Sequence, residues 1–543
     1  MSESRMIRGT IILSIATFLS KFLGMLFVIP FNAIVGDKGG YLYSYSYTPY
    51  TIILSLSTVG VPLAVSKFVS KYNAIGDYRT GRVLFRSGML IMTITGAIGF
   101  LVMYYGAPAL ASLTLGSEGK DADYQSLVFT MRVLSFALLF VPPMSLMRGY
   151  FQGFQSMGPT AASQTIEQIV RIAFGLIGAY VVVDILNFPE RVAVRDAVAL
   201  VNFGAFVGAL AGLVNLIHYW FKRKRYMDEK VAASPPVPAM KLGAMYRELI
   251  GYAIPFVCVG LANQLYLLID QFTLNHFLKL FYDYSTNRLH AIVSNLMMYD
   301  QKLIMIPVSL ATALAVSVVP AITASFVKGD HHEMRLEITK ALQFVIFFTL
   351  PAAVGLSILA YEVYALLYGF DEGIRIGGEI LRWYAPSAIL FAGFSVTAAI
   401  LQGINIQKVT ILSLSVGILI KMIFNPVFIK WWNMTGPILA TDLGYVVSII
   451  INLLAIREIT GYRFGFIGKR FLLISIFTAL MGVAIFVPSW VFGGLIPATR
   501  WESLVMSVFG MVLGAAVYLL LALRSGLARQ VLGRNVPVLK RFM

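Results

Sequence analysis

Fourteen separate apolar stretches, each long enough to cross a lipid bilayer, leave this chain few ways to fold. They lie near residues 7–35, 41–66, 83–112, 126–150, 160–184, 196–221, 247–278, 291–327, 338–368, 379–403, 407–431, 436–456, 471–494 and 501–523. A spanning helix needs about 20 mainly apolar residues. Inside lipid every backbone N–H and C=O must find a partner within the protein, which a helix provides within one segment. The expected fold is therefore an all-α membrane protein of about fourteen transmembrane helices. Only 13% of the residues are charged, against about 25% in soluble domains. The first stretch is long and lacks a small-residue cleavage site, so it reads as a retained helix rather than a signal peptide. The stretch at 291–327 is long for one span, and a loop or extramembrane turn is expected at its start.

The net charge of +17 raises nucleic acid as a partner, but its distribution points to the membrane. Twenty-eight Lys and Arg fall on the side holding both termini and the connections after even-numbered spans. The opposite side holds ten. Lysine and arginine collect on the cytoplasmic face, so both termini are expected in the cytoplasm, with the basic clusters against anionic lipid headgroups. The lone Cys258 precludes an internal disulfide or a cysteine cluster. The adjacent His331 and His332 lie in a polar connection and read as solvated. No metal or other cofactor is expected.

The chain repeats itself. Leu63-Ala64-Val65-Ser66 recurs as Leu314-Ala315-Val316-Ser317, and Gln152-Gly153 as Gln402-Gly403. Thr160, Ser163, Arg171 and Phe174 recur 250 residues later as Thr410, Ser413, Lys421 and Phe424. Spans 1–6 thus pair with spans 7–12. Six is even, so the two copies enter from the same face and are parallel repeats. The expected organisation is an N-lobe at 1–221, a basic and Pro-containing cytoplasmic linker at 222–246, and a C-lobe at 247–460. Two further helices and a basic cytoplasmic tail occupy 461–543. Two six-helix bundles around a central cavity are the architecture of an alternating-access carrier. Pro30, Pro49 and Pro62 in spans 1 and 2 correspond to Pro255, Pro307 and Pro320 in spans 7 and 8. Paired interruptions of this kind mark bending and cargo binding, although proline is also tolerated in membrane helices without such a role.

Five basic residues fall more than four residues inside the span limits: Lys21, Arg132, Arg171, Lys302 and Lys421. A charge at the bilayer centre costs at least ~2.5–3.5 kcal/mol, so each needs a partner or a watery cavity. Lys21 has no acid within one turn and reads as cavity-lining. Lys302, beside Gln301, lies two residues from Asp300, too close to share a helix face with it, and reads the same way. Arg171 has Glu167 one turn earlier, and an i,i+4 ion pair is expected between them. Lys421 lacks such an acid and is structural or snorkelling as readily as functional. Arg132, near a helix end, is expected to snorkel. Asp270 is the acid most strongly placed inside, either neutralising Lys21 or binding a coupling cation. Arg148 and Gln152 are expected to cap or gate the cytoplasmic end of span 4. A cavity with more bases than acids attracts an anion, and phosphate or pyrophosphate suits two such cations.

Several segments carry a resemblance: Ser20-Lys21-Phe22-Leu23-Gly24, Ala64 to Tyr72, Arg148 to Gly153 with Met157-Gly158-Pro159-Thr160, Glu167 to Ile172, Gln301 to Ala313, and Ala399 to Asn405. Together they resemble the MurJ/YtgP-type lipid II flippases, in the superfamily of multidrug, oligosaccharidyl-lipid and polysaccharide exporters. The resemblance spans both halves. It implies fourteen helices in two lobes and alternating-access transfer of undecaprenyl-pyrophosphate-linked peptidoglycan precursor, lipid II, to the outer leaflet. It implies pyrophosphate binding by cations of spans 1, 2 and 8, and a groove for the lipid tail at spans 13 and 14. Lys21 and Lys302 match two of the family's arginines. The chain departs in having lysine at both, which forgoes bidentate geometry, and in having no basic residue between Tyr41 and Ser66.

The expected function is therefore lipid II flipping at the cell membrane. The ranked alternatives are export of another polyprenyl-linked glycan of teichoic, capsular or spore-wall type, then drug or cation antiport. Transport would draw on the membrane potential or an ion. The expected partners are lipid II or a related polyprenyl-pyrophosphate glycan, membrane lipids and the cell-wall synthesis machinery, with no nucleic acid. An enzyme is not expected, since the external loops near Gly116–Tyr124 and Asp283–His290 are short and hold no acid or histidine cluster.

Overall fold

Every predicted span contains helix, and among the described residues no strand appears. The structure is a computed structural model that describes residues 3–58, 61–115, 122–186, 188–234, 243, 246–247, 257–316, 319–369, 373–492, 496–497 and 499–532. The helices are α1 (Glu3–Leu26), α2 (Val28–Thr58), α3 (Val61–Ala74), α4 (Tyr78–Leu115), α5 (Ala122–Ser135), α6 (Val141–Gly153), α7 (Met157–Tyr180) and α8 (Glu190–Ala232). They continue as α9 (Ala262–Tyr282), α10 (Thr286–Ser294), α11 (Asp300–Val316), α12 (Val319–Val327), α13 (His331–Ile358), α14 (Ala360–Tyr368), α15 (Gly373–Tyr384) and α16 (Ser387–Gly403). The last are α17 (Gln407–Trp432), α18 (Gly436–Thr460), α19 (Gly465–Phe492), α20 (Arg500–Arg524) and α21 (Leu527–Leu532).

Among the described residues, nine helical stretches are long and apolar enough to cross a membrane. Two of them, Ile15–Thr58 and Gln407–Thr460, are 44 and 54 residues long. At about 1.5 Å per residue both exceed twice the ~30 Å hydrocarbon thickness, so each is two crossings joined by a tight turn. In the first the turn is at Gly36, with φ +60°, a left-handed conformation that glycine adopts without steric cost. In the second it is Asn433, also at positive φ. Pro30 leaves the Leu26 carbonyl without its helical donor, and the helix breaks at Phe27 between α1 and α2. Pro49 and Pro307 lie inside helices. Pro255, the linker prolines Pro235, Pro236 and Pro238, and residues 116–121 lie outside the described residues. So does Ser317, and the side chains of Pro62 and Pro320 are likewise not described.

One expectation changes. The 291–327 stretch does not open on a loop. Its helix starts at Thr286, capped by the Ser285 side chain, and continues through a π-helical turn at Asn295–Tyr299 into α11. The basic run Lys222 to Arg225, at the start of the expected linker, is helical. The 43-residue α8 carries it, too long for one crossing. The part beyond the bilayer is held by an ion pair between Arg82 and Asp228, with the Arg82 guanidinium over the Trp220 ring at 4.9 Å.

The repeat is visible in backbone geometry. The α6–α7 turn places Gln155 at φ 56°, and the α16–α17 turn places Asn405 at φ 63°. In the first, Ser156 N–H donates to Phe151 C=O at 3.0 Å; in the second, Ile406 N–H donates to Leu401 C=O at 2.8 Å. The α3–α4 turn has Gly76 at positive φ and Asp77 capping Thr80 N–H at 2.9 Å. The α12–α13 turn has Gly329 at positive φ and Asp330 capping Glu333 N–H at 3.0 Å. Each half thus builds the same corners.

The chain forms two compact units, Met1–His276 and Phe277–Met543. The cut at 222–246 follows the repeat, whereas this one follows packing, and the first two-thirds of α9 packs within the first unit. The core of that unit includes Val65, Phe68, Leu84, Phe85, Met144, Tyr150 and Leu216. The second unit gathers Phe347, Ile474, Phe477, Met481, Ile485 and Tyr518 of α13, α19 and α20. Large apolar side chains such as Leu90, Ile94 and Ile98 on α4, and Leu472, Ile476 and Val483 on α19, face outward. An outward belt of this kind is what lipid covers.

Candidate functional site in the first unit

Thr17, Lys21 and Gly24 recur at i, i+4 and i+7 and so share one face of α1. Thr17 Oγ1 donates to Gln164 Oε1 at 3.2 Å. A Cβ added at Gly24 would come within 2.9 Å of Gln168 Nε2. The two contacts climb both helices in the same order, so α1 and α7 run parallel. Lys21 lies on this shared face and is exposed. Among the described residues no ion pair joins it to Asp270. That acid, on α9, is 7% exposed and lies in electrostatic range of Tyr45.

The expected Glu167–Arg171 pair is not formed. Glu167 instead accepts from Arg148 of α6, with Nη2 to Oε2 at 2.6 Å, and Arg148 also donates to Ser163 Oγ at 2.7 Å. Both charged groups are mostly buried. The reason is tertiary. Gly204, Gly208 and Gly212 form a stripe at four-residue spacing on α8, and small residues so spaced let membrane helices approach closely. Added Cβ atoms would stand 2.8 Å from the Arg171 carbonyl oxygen at Gly204 and 2.6 Å from that of Glu167 at Gly208. At Gly212 the neighbours are Met144, Ser163 and Arg148. The stripe draws α7 against α8 and brings Glu167 to Arg148. Arg148 is thus locked among three helices, and Gln152 sits half-buried one turn later at the start of the α6–α7 turn.

Arg171 points the other way, onto α2. Its Nη2 lies 3.3 Å from Tyr43 Oη and its Nη1 3.4 Å from Tyr47 Oη, with the guanidinium 5.2 Å from the Tyr47 ring centroid. Tyr43 and Tyr47 stack at 5.1 Å, and Tyr47 meets Tyr50 at 5.5 Å. These tyrosines did not stand out in a reading focused on charge. The signal was five tyrosines in ten residues, Tyr41 to Tyr50. The other face of the same row meets α9. Asn275 Nδ2 donates to Tyr41 Oη at 2.9 Å, and Gln271 Nε2 donates to the Tyr45 carbonyl and to Thr114 Oγ1, both at 3.1 Å.

In the second unit, Lys302 is half-buried on α11, between buried Gln301 and buried Leu303, with Asp300 fully buried. Lys421, the repeat partner of Arg171, is completely buried. Its ammonium donates to the Pro437 carbonyl at 2.9 Å and to Thr441 Oγ1 at 2.6 Å, and it interacts electrostatically with Asp442. This ammonium is satisfied by oxygens inside the fold and does not snorkel. Arg132, expected to snorkel, donates Nε–H to the Tyr104 carbonyl at 3.3 Å and stacks on that ring. Among the described residues no His, Cys, Asp and Glu cluster is arranged to hold a metal ion.

Comparison with known proteins places this geometry. The family model for polysaccharide biosynthesis proteins matches residues 6–326, and the MatE model matches residues 283–427. The lipid II flippase MurJ of Bacillus subtilis (strain 168) is 41% identical over 98% of both chains. The stage V sporulation protein B of the same organism is 23% identical over 84% of this chain and 85% of its own. Among solved structures, lipid II flippase MurJ in an inward closed conformation superposes with a TM-score of 0.64, covering 96% of this chain and 99% of that one at 15% identity. An inward-facing multidrug MATE transporter superposes with a TM-score of 0.62, covering 81% and 98% at 15% identity.

Proposed function

We propose a cargo from one premise: the chain belongs to the polysaccharide biosynthesis protein family, on its lipid II flippase branch. It is a multi-pass membrane protein that transports rather than catalyses. Its cargo is the undecaprenyl-pyrophosphate-linked peptidoglycan precursor lipid II, carried by alternating access from the inner to the outer leaflet of the cell membrane. The observation that carries this reading is 41% identity to a lipid II flippase along the whole of both chains.

The residues give the reading its chemistry. Lys21 offers an exposed ammonium within a membrane-spanning helix, where a charge is retained only for a partner or a watery path. Lys302, with Gln301, is a second cation for the cargo, and Asp270 is the acid that balances these charges or binds a coupling cation. Lys21 of the first unit and Lys302 of the second are each residues for the pyrophosphate group. Both termini lie in the cytoplasm, and the cell-wall synthesis machinery receives the product.

Reconstitution tests the cargo. In vesicles carrying the purified full-length chain and lipid II, wild type should expose internal lipid II to an external, membrane-impermeant amine reagent. Equal exposure in protein-free vesicles would refute flipping. Flipping of a polyprenyl-phosphate glycan in place of lipid II would reassign the cargo.

A further inference from the structure

We infer that Arg171, laid on the Tyr43–Tyr47 face of α2, is a second anion-binding residue of the first unit and binds the same pyrophosphate as Lys21. This deepens the proposed function and rests on it for the identity of the anion. The nearest acid on its own helix, Glu167, is committed to Arg148, so the two charges one turn below cancel. Among the described residues no carboxylate lies within ion-pair distance of Arg171, and its hydrogen-bond partners are the Tyr43 and Tyr47 phenols. Those contacts, at 3.3 and 3.4 Å, are longer than the 2.7–2.9 Å typical of a charge-assisted bond. A guanidinium has five donors, so most remain to be used. Burial is only partial. A positive charge in mid-membrane is thus oriented by aromatic rings and left without a compensating negative charge.

The repeat supplies a control. Lys421 occupies the same position in the second half, and it is fully buried with two short oxygen contacts. A purely structural cation in this fold looks like Lys421; Arg171 does not.

The register brings Arg171 to Lys21. A Cβ at Gly24 of α1 would meet the end of the Gln168 side chain of α7, which puts the two residues at neighbouring levels. At about 1.5 Å per residue, Lys21 lies about 4.5 Å below Gly24 and Arg171 about 4.5 Å above Gln168. Two long side chains on parallel neighbouring helices, about 9 Å apart along the axis, can converge on one diphosphate. A planar guanidinium takes such a group bidentately where an ammonium acts as a point charge. Arg171 also supplies positive charge against α2, which has no basic residue after Lys38.

The test is binding of undecaprenyl pyrophosphate to the full-length chain in lipid nanodiscs, read by native mass spectrometry, with neutral undecaprenol as the comparison. R171Q should weaken pyrophosphate binding about tenfold or more, leave undecaprenol unchanged, and keep the wild-type melting temperature. R171K should recover part of the loss. If wild type binds and R171Q binds within twofold of it, Arg171 is structural and the inference is overturned, while the cargo reading stands. If wild type shows no preference for the pyrophosphate over undecaprenol, the cargo reading itself falls. Should R171Q not fold, dicarbonyl labelling of Arg171 in wild type decides. Protection by undecaprenyl pyrophosphate supports the inference, and labelling unchanged by it overturns the inference.

Discussion

Arg148 reaches from α6 to Glu167 at 2.6 Å and takes the carboxylate that helical spacing assigns to Arg171. This one exchange divides the charges of the first unit into a neutral, buried, helix-locking pair and a cation facing the tyrosine row.

Removing Glu167 should damage the fold before it damages recognition. Glu167→Gln leaves the Arg148 charge mostly buried without its counter-ion, at a cost of about 3 kcal/mol. The melting temperature of the purified protein should fall. The double variant Arg148→Met, Glu167→Gln should recover much of the loss, because both buried charges are then gone. A single variant as stable as wild type would mean the pair holds nothing together.

Lys421 and Arg171 should respond oppositely. Lys421→Met removes two hydrogen bonds to a buried ammonium and leaves Asp442 without its positive neighbour, at a cost of about 1–3 kcal/mol. Its variant should melt earlier yet, once folded, bind undecaprenyl pyrophosphate as wild type does. Loss of binding without loss of stability would place Lys421 in the cargo site.

The glycine stripe of α8 should tolerate little. At Gly208 a Cβ would stand 2.6 Å from a backbone oxygen, which has no side-chain freedom to move away. Gly208→Leu should therefore cost about 1–3 kcal/mol by overpacking and, by displacing α7, weaken cargo binding too. Gly158, whose Cβ position is open, provides the matched control, and Gly158→Leu should cost far less. Equal melting temperatures for the two variants would contradict the close α7–α8 approach.

What could be read from the residues alone was what depends on local pattern. Hydropathy marks the spans because lipid demands helices there, and the 250-residue offset marks the halves because both copies build the same corners. The Gln155 and Asn405 turns confirm that offset in their backbone conformation. The ion pairing of Arg171 was misjudged because i,i+4 spacing proves proximity only along one helix, whereas Arg148 approaches from another. The helix at Thr286 was hidden by its polar first turn, which reads as a loop when hydropathy is the guide. The attachment of α9 to α2 through Asn275 and Tyr41 is a tertiary hydrogen bond, and no periodicity encodes it. The tyrosine row was present in plain sequence, but its meaning required knowing that Arg171 lies against it.

The central claim is that this chain moves lipid II by holding its pyrophosphate on membrane-embedded cations. The most direct measurement is outer-leaflet lipid II in a bacterium depleted of its own flippase and expressing this chain. Wild type should restore outer-leaflet lipid II and growth, while the variant Lys21→Gln, Lys302→Gln, present in the membrane at equal level, should restore neither. Failure of wild type to restore it, or full restoration by the variant, would contradict the account.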